Sequence, residues 1–239
     1  MTVPFYVAPE QVMKDRADYA RKGIARGRAM VAVRYGDGVA MVAENSSTTL
    51  RKISEIYDRI AFAGVGRYNE FDQLRVAGVR AADLKGYQYS RDDVDARSLA
   101  NQYAQILGQI FTHEMKPMEV EILVAEVGQT PDGDQMFHIN YDGTVFDERD
   151  YAVLGGDSAT ISTRFTDAAG ERLGDGFGLG GAVRAAVTAL AGPERSLVPD
   201  DLEVALLVRS ESRRCFKRLT DDEVAGLLTE ADAATPEPG

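Results

Sequence analysis

Few residues in this chain have a type and spacing that could do covalent chemistry, and each competes with a plainer use. There are two histidines, His113 at the end of a helical pattern and His138 in an alternating strand pattern. A triad or a metal centre would need both, or one with well-placed carboxylates, and nothing in the spacing supplies that. Gly176, Gly178 and Gly181 spell G-x-G-x-x-G. A dinucleotide fingerprint must follow a buried strand, whereas Glu171-Arg172-Leu173-Gly174-Asp175 precedes this one, so it reads as a flexible connection opening a helix. No serine lies in a G-x-S-x-G elbow. The single cysteine, Cys215, forms no internal disulfide and belongs to no zinc cluster. Arg213, Arg214 and Lys217 could lower its pKa, but the plainer use is a small residue in a strand. Thr48-Thr49 is the one double threonine and sits in a polar loop, while Lys52 beside Ile53-Ser54-Glu55 reads by itself as a solvated cation. No metal and no cofactor is expected.

The elements that must position these residues follow from periodicity. Pro9 suits a first helical turn, and Val12, Met13, Ala17, Ala20 and Ile24 recur at intervals of three and four, so a helix over 9–26 carries one narrow apolar stripe. Lys14, Arg16, Arg21, Lys22, Arg26 and Arg28 make its other faces basic, a docking surface on an acidic chain. Residues 29–43 form a hairpin around Gly36-Asp37-Gly38, with strands apolar enough for a buried sheet. A polar loop (45–51) and a short strand (60–64) lead to a helix striped by Phe71, Leu74, Gly78, Val79 and Ala82. A second helix is striped by Leu99, Tyr103, Ile106, Ile110 and Phe111.

Strand 120–127 then begins a meander turned by Pro131-Asp132-Gly133 and Tyr141-Asp142-Gly143, before strand 151–154. Helical stretches at 161–169 and 179–190 precede strands 202–209 and 214–219. A capping box, Thr220-Asp221-Asp222-Glu223, opens a last helix, and an acidic tail without basic residues closes the chain as a solvated, disordered end. Strands, helix pair, strands, helix pair, strands is the order of two stacked sheets with a helix pair outside each.

Bulk properties narrow the function. At 239 residues without a low-complexity linker, one domain is expected, and 44% hydrophobic against 27% charged residues gives enough apolar surface for a core. A formal net charge of −11 argues against a nucleic-acid partner. No apolar stretch reaches the roughly 20 residues of a membrane span and no leader pattern opens the chain, so a cytoplasmic protein is expected.

Read in order, Asp18-Tyr19-Ala20, Gly23, Gly27, Glu44-Asn45, Lys52-Ile53-Ser54-Glu55 and Tyr57-Asp58-Arg59 carry a resemblance. Asn69-Glu70-Phe71-Asp72, Glu119-Val120-Glu121, Val124-Ala125-Glu126-Val127 and Gly155-Gly156 continue it. Over almost its whole length the chain resembles proteasome α subunits, most closely the actinobacterial ones. The resemblance implies a four-layer α/β/β/α sandwich, the N-terminal-nucleophile hydrolase fold, with an extra N-terminal helix. It divides the chain into a gate segment (1–8), an α-type domain (9–230) and an acidic tail (231–239). It implies a heptameric ring of identical or paralogous α subunits stacked on rings of β subunits that cleave peptide bonds.

Pro4, Phe5 and Tyr6 would belong to the gate, although the Tyr-Asp-Arg triplet of archaeal and eukaryotic relatives is absent. Lys52 matches the lysine that binds the C-terminal carboxylate of a docking activator, Gly27 and Gly66 match backbone positions of that pocket, and Arg26 is a second cation there. The implied activator is a ring ATPase of the mycobacterial proteasomal ATPase or ARC type, bringing substrates tagged by Pup, a small ubiquitin-like modifier. Catalytic relatives begin, after processing, with a threonine whose own amine is the base. Here Arg28-Ala29 stands at that place, so the chain is expected to be non-catalytic. Two alternatives remain open at this point: a self-processing threonine peptidase subunit, and a scaffold of the same fold outside the proteasome.

Overall fold

A computed structural model describes residues 8–173 and 177–229. Pro4, Phe5 and Tyr6, which the resemblance assigns to a gate, Gly176 of the glycine motif, and the acidic tail lie outside the described residues.

Strands β1 (Met30–Tyr35) and β2 (Gly38–Glu44) pair antiparallel across a turn at Gly36-Asp37 that sets Tyr35 opposite Gly38. Because side chains alternate across a strand, the two faces of this hairpin enter different cores. Met30, Ala32, Met41 and Ala43 point one way, and Val31, Val33, Ala40 and Val42 the other. Both directions are covered, which is why the hairpin reads as nearly continuous apolar sequence.

The remaining strands are β3 (Ile53–Tyr57), β4 (Ile60–Gly66), β5 (Val120–Glu126), β6 (Gln135–Ile139), β7 (Val145–Glu148), β8 (Tyr151–Leu154), β9 (Leu202–Val208) and β10 (Phe216–Arg218). They form two five-stranded antiparallel sheets, ordered β10-β9-β2-β1-β8 and β3-β4-β5-β6-β7. Between the sheets lies a layer rich in alanine, in which Ala32, Ala43, Ala61, Ala63, Ala125 and Ala205 are fully buried among larger residues such as Met30, Met41 and Leu123. Small side chains there let the sheets approach closely and leave bulk to the outer layers.

Helices α2 (Tyr68–Gln88) and α3 (Ala96–His113) cover the second sheet through Phe71, Leu74, Leu99, Tyr103 and Leu107. Helices α4 (Ser158–Ala169) and α5 (Leu179–Ala191) cover the first, with α6 (Asp221–Thr229) beside α5. The α6 capping box forms as expected: the Thr220 amide donates to the Glu223 carboxylate (2.9 Å) and the Glu223 amide to the Thr220 hydroxyl (3.3 Å). The architecture is the expected α/β/β/α sandwich.

Helix α1 (Pro9–Ala25) lies across one end of it. Ala20 and Ile24 are buried in the inter-sheet core, Arg16 donates to the Phe111 carbonyl (2.7 Å), and the Arg21 guanidinium lies over the Tyr141 ring. The stripe is covered only in its second half, since Val12 and Met13 remain exposed. Strand β3 is an element that periodicity does not give: Ser54 and Glu55 interrupt its apolar pattern, and a bulge shifts its register between Glu55 and Tyr57. The strand expected over 214–219 narrows to β10, leaving Cys215 buried just before it with its amide donating to the Asp58 carbonyl (2.8 Å).

At the β7 side of the sandwich, His138 stands between Glu121 and Glu148, each 3.8 Å from one ring nitrogen. Burial disfavours the imidazolium, but the two carboxylates outweigh it and push the pKa up from 6.5 to about 9. The folded state therefore holds this proton more tightly than the unfolded chain. The resulting stability is fully present below about pH 6.5 and is lost as pH rises through about 9. His138→Gln should remove that slope: between pH 6 and 9.5 the wild type should lose about 3 kcal/mol more unfolding free energy than the variant. Urea titrations at both pH values check this, and parallel losses would rule it out.

Candidate functional site

The end of the sandwich under α1 is organised by a buried carboxylate. Glu203 on β9 is 2% exposed and accepts from the amides of Lys52 (2.9 Å) and Ile53 (3.2 Å) and from Asn45 Nδ2 (2.7 Å). Arg218 neutralises it and reaches on to the Ile53 carbonyl (2.6 Å). A carboxylate this deep is tolerated only with its lone pairs filled and its charge paired. The Lys52 carbonyl accepts from Gly64 (3.0 Å), so the backbone of Lys52 is fixed on both sides.

Lys52 is half-buried, and its ammonium donates to the Arg28 carbonyl (2.5 Å). Burial lowers its pKa most; attraction from Glu44 and Glu203 offsets part of this, Arg28 adds repulsion, and the result is about 8. Among the described residues no carboxylate forms an ion pair with this ammonium. Glu44, 3.7 Å from Arg28, spends its hydrogen bonds on Arg195 (2.9 and 3.2 Å). An ammonium bonded to one neutral carbonyl retains donor capacity for an incoming anion.

Beside Arg28, the chain passes Gly27 close to Gly66. A Cβ on Gly27 would lie 3.2 Å from the Ile24 carbonyl oxygen and 3.5 Å from the Gly66 nitrogen. Gly66 has φ +97°, and a Cβ there would lie 2.0 Å from the Glu119 carbonyl oxygen. Only glycine combines that dihedral with that approach. Lys52 thus reaches the carbonyl of Arg28, and the preceding residue, Gly27, lies against Gly66. Arg26 is exposed at the end of α1, with no hydrogen bond or ion pair to this group.

Glu203 and Glu44 support this arrangement, and sequence reasoning assigned neither a role. The signal for Glu203 is an acid inside the apolar run 202–208, an arrangement that demands buried partners. Glu119 is a further case: Gly23 in α1 packs directly on its side chain, which lies 3.0 Å from both Arg67 and Lys116.

The other sequence candidates do not converge. His113 is exposed, facing the Gln109 carbonyl of its own helix (3.1 Å). Thr48 and Thr49 are exposed in a loop folded by the Ser47 hydroxyl. Gly178 caps α5 after a short helical turn rather than a strand. Among the described residues no group of three or more His, Cys, Asp or Glu could hold a metal ion, and no helix is long and apolar enough to cross a membrane.

Comparison with known proteins follows the same outline. The sequence model of the family described as "Proteasome subunit" matches residues 24–186. A protein of Acidimicrobium ferrooxidans named "Proteasome subunit alpha" is 62% identical over 233 residues, covering 95% of this chain and 97% of its own. Relatives with the same name in Kineococcus radiotolerans (56% over 238 residues) and Thermobifida fusca (54% over 234) span 98% and 92% of their own lengths, and 95% and 97% of this chain.

The Gly66 geometry is testable without any partner. Gly66→Ala should lower unfolding free energy by about 2–4 kcal/mol, because both the dihedral and the carbonyl contact must yield. An unchanged urea midpoint would show that the backbone there relaxes freely.

Proposed function

The chain belongs to the proteasome subunit family, and we propose that it serves as a non-catalytic α subunit that forms the outer rings of the core particle, gates entry and docks a ring ATPase. One observation carries the non-catalytic reading. Gly27, Arg28 and Ala29 join α1 to β1, so arginine and alanine stand where a processed peptidase would need a threonine with a free amine, and the Arg28 carbonyl accepts from the Lys52 ammonium. No hydroxyl stands at that junction, so the self-processing alternative has no nucleophile there.

Docking is supported by the same constellation. An activator's terminal carboxylate would meet the Lys52 ammonium beside the Gly27 and Gly66 backbones, with the exposed Arg26 as a second cation. A charge-assisted contact of this kind specifies a chain terminus. In the actinobacterial setting of the relatives, that activator is of the mycobacterial proteasomal ATPase or ARC type, delivering Pup-tagged substrates in the cytoplasm. Residues 1–8, with Pro4, Phe5 and Tyr6, would close the axial entrance.

Two outcomes test this reading in a complex with a proteasome β subunit. Lys52→Met keeps the stem and deletes the charge. It should reduce activator-stimulated protein degradation at least about tenfold, leave small-peptide hydrolysis unchanged, and raise unfolding free energy by about 1 kcal/mol, since a partly buried cation is removed. Undiminished stimulation would falsify the docking assignment. Deleting residues 1–7 should accelerate small-peptide hydrolysis several-fold without activator, and an unchanged rate would remove the gate assignment.

A further inference from the structure

At the junction of α1 and β1 one buried carboxylate, Glu44, faces three cations, Arg28, Arg195 and Lys52. Its amide donates to the Ala29 carbonyl (3.1 Å), one peptide beyond the carbonyl that holds the Lys52 ammonium. Of the charges acting on that ammonium, Glu44 exerts the strongest attraction, ahead of Glu203. A direct pair between Glu44 and Lys52 would cancel inside the chain the charge that an arriving anion needs. Glu44 makes its ion pairs elsewhere. Arg195 takes both of its oxygens (2.9 and 3.2 Å) in a bidentate fork, and Arg28 adds a looser contact at 3.7 Å.

The fork is held from behind. Gly192, with φ +67°, ends α5 and turns the chain so that Arg195 comes back over the helix end. There its Nη2 donates to the Leu190 carbonyl (2.8 Å) and its Nε to the Ala191 carbonyl (3.3 Å), acceptors that the last turn of a helix leaves without intrahelical donors. A cation is also favoured at the negative end of a helix dipole. Arg195 is thus seated on the backbone of α5 and spends its charge on a carboxylate at the end of β2, 151 residues away in sequence. The other charges near this group do not take its place. Glu203 is neutralised by Arg218, Asp201 adds attraction to Arg195, and Arg28 reaches Glu44 only through its one long contact.

We propose that Arg195 is a positioning residue for the docking site: by holding Glu44 it keeps Lys52 unpaired, so that the ammonium is open to an arriving carboxylate. The inference rests on the docking reading above and names the residue that keeps its cation available. Without Arg195 the buried Glu44 retains only the long contact to Arg28, and Lys52 is the cation left to neutralise it. An arriving carboxylate would then have to displace a carboxylate already in place. Because Arg195 acts through Glu44, its loss has a signature that loss of a direct contact lacks. Deleting the charge of Glu44 must undo it.

The test uses the full chain in complex with a β subunit, as Arg195→Met, Glu44→Gln and the two combined, with urea midpoints to check that each folds. One readout needs no activator: trace acetylation by acetic anhydride between about pH 6 and 11, followed by peptide mass spectrometry, gives the pH at which Lys52 becomes reactive. In Arg195→Met that midpoint should rise by at least about one pH unit from the wild-type value of about 8, and in the double variant it should return to that value or below. The second readout is the ring ATPase concentration that half-saturates stimulated protein degradation. It should rise at least about fivefold in Arg195→Met at an unchanged plateau rate, and fall back to within about twofold of wild type in the double variant. Glu44→Gln alone, which leaves Arg195 in place, should lower the Lys52 midpoint and half-saturate no later than wild type. An unmoved Lys52 midpoint in folded Arg195→Met, weaker docking in Glu44→Gln, or a docking loss that Glu44→Gln does not repair would overturn the role of Arg195 and leave docking at Lys52 intact. A midpoint that moves and is repaired while half-saturation stays constant would instead overturn docking at Lys52.

Discussion

The buried carboxylate of Glu203 is the interaction on which the rest of this end of the molecule depends. It projects from the sheet containing β9 and β10, yet two of its donors are amides of Lys52 and Ile53, at the start of the other sheet. Removing it would take the acceptor from those two amides, from one N–H of Asn45 Nδ2 and from one arm of Arg218. The consequence is geometric as much as energetic. Fixing where β3 begins fixes where the Lys52 stem leaves the backbone, and hence which carbonyl its ammonium reaches.

Helix α1 has the complementary task of delivering Gly27. Its last turns are seated by Ala20 and Ile24 in the inter-sheet core and by Gly23 on the Glu119 side chain. Glu119 is itself placed by its backbone N–H, which donates to the Glu70 carboxylate (2.7 Å), and by the ammonium and guanidinium of Lys116 and Arg67. Its carbonyl, in turn, is the atom that forbids a side chain at Gly66. A helix anchored at one half only can set the position of its C-terminal end while offering its first half, with Val12 and Met13, to another surface.

Much of the fold was legible because its strongest elements follow one rule each. Two-sided burial wrote the β1–β2 hairpin as apolar runs, and amphipathic spacing wrote α2 and α3. Strand β3 escaped because its residues answer to different neighbours: Ile53 to the core, Glu55 to Arg214, and the bulge to the turn before β4. The stripe of α1 overstated burial, since spacing reports which residues share a face and not whether that face is covered within one chain. At the site, Lys52, Gly27 and Gly66 lie far apart in sequence and were grouped by resemblance alone. The dihedral of Gly66 and the contacts of Glu203 are tertiary facts with no local signature.

The chemistry available to Lys52 is decided by what faces it. A depressed pKa, here about 8, is often read as preparation for proton transfer. Proton transfer needs an acidic partner in reach, and the atom in reach is the Arg28 peptide carbonyl, which has no proton to exchange. What burial does accomplish is to weaken competition from water and hold one cation in one place, with the nearest carboxylates engaged by arginines and by backbone amides. An anion arriving at such a group completes a pair whose partner is already ordered, so less entropy is lost on binding. The same desolvation that makes the lysine costly to the isolated fold would favour a carboxylate over water as its partner, as the proposed docking role requires, and the arginine and alanine at the α1–β1 junction offer no hydroxyl for it to activate.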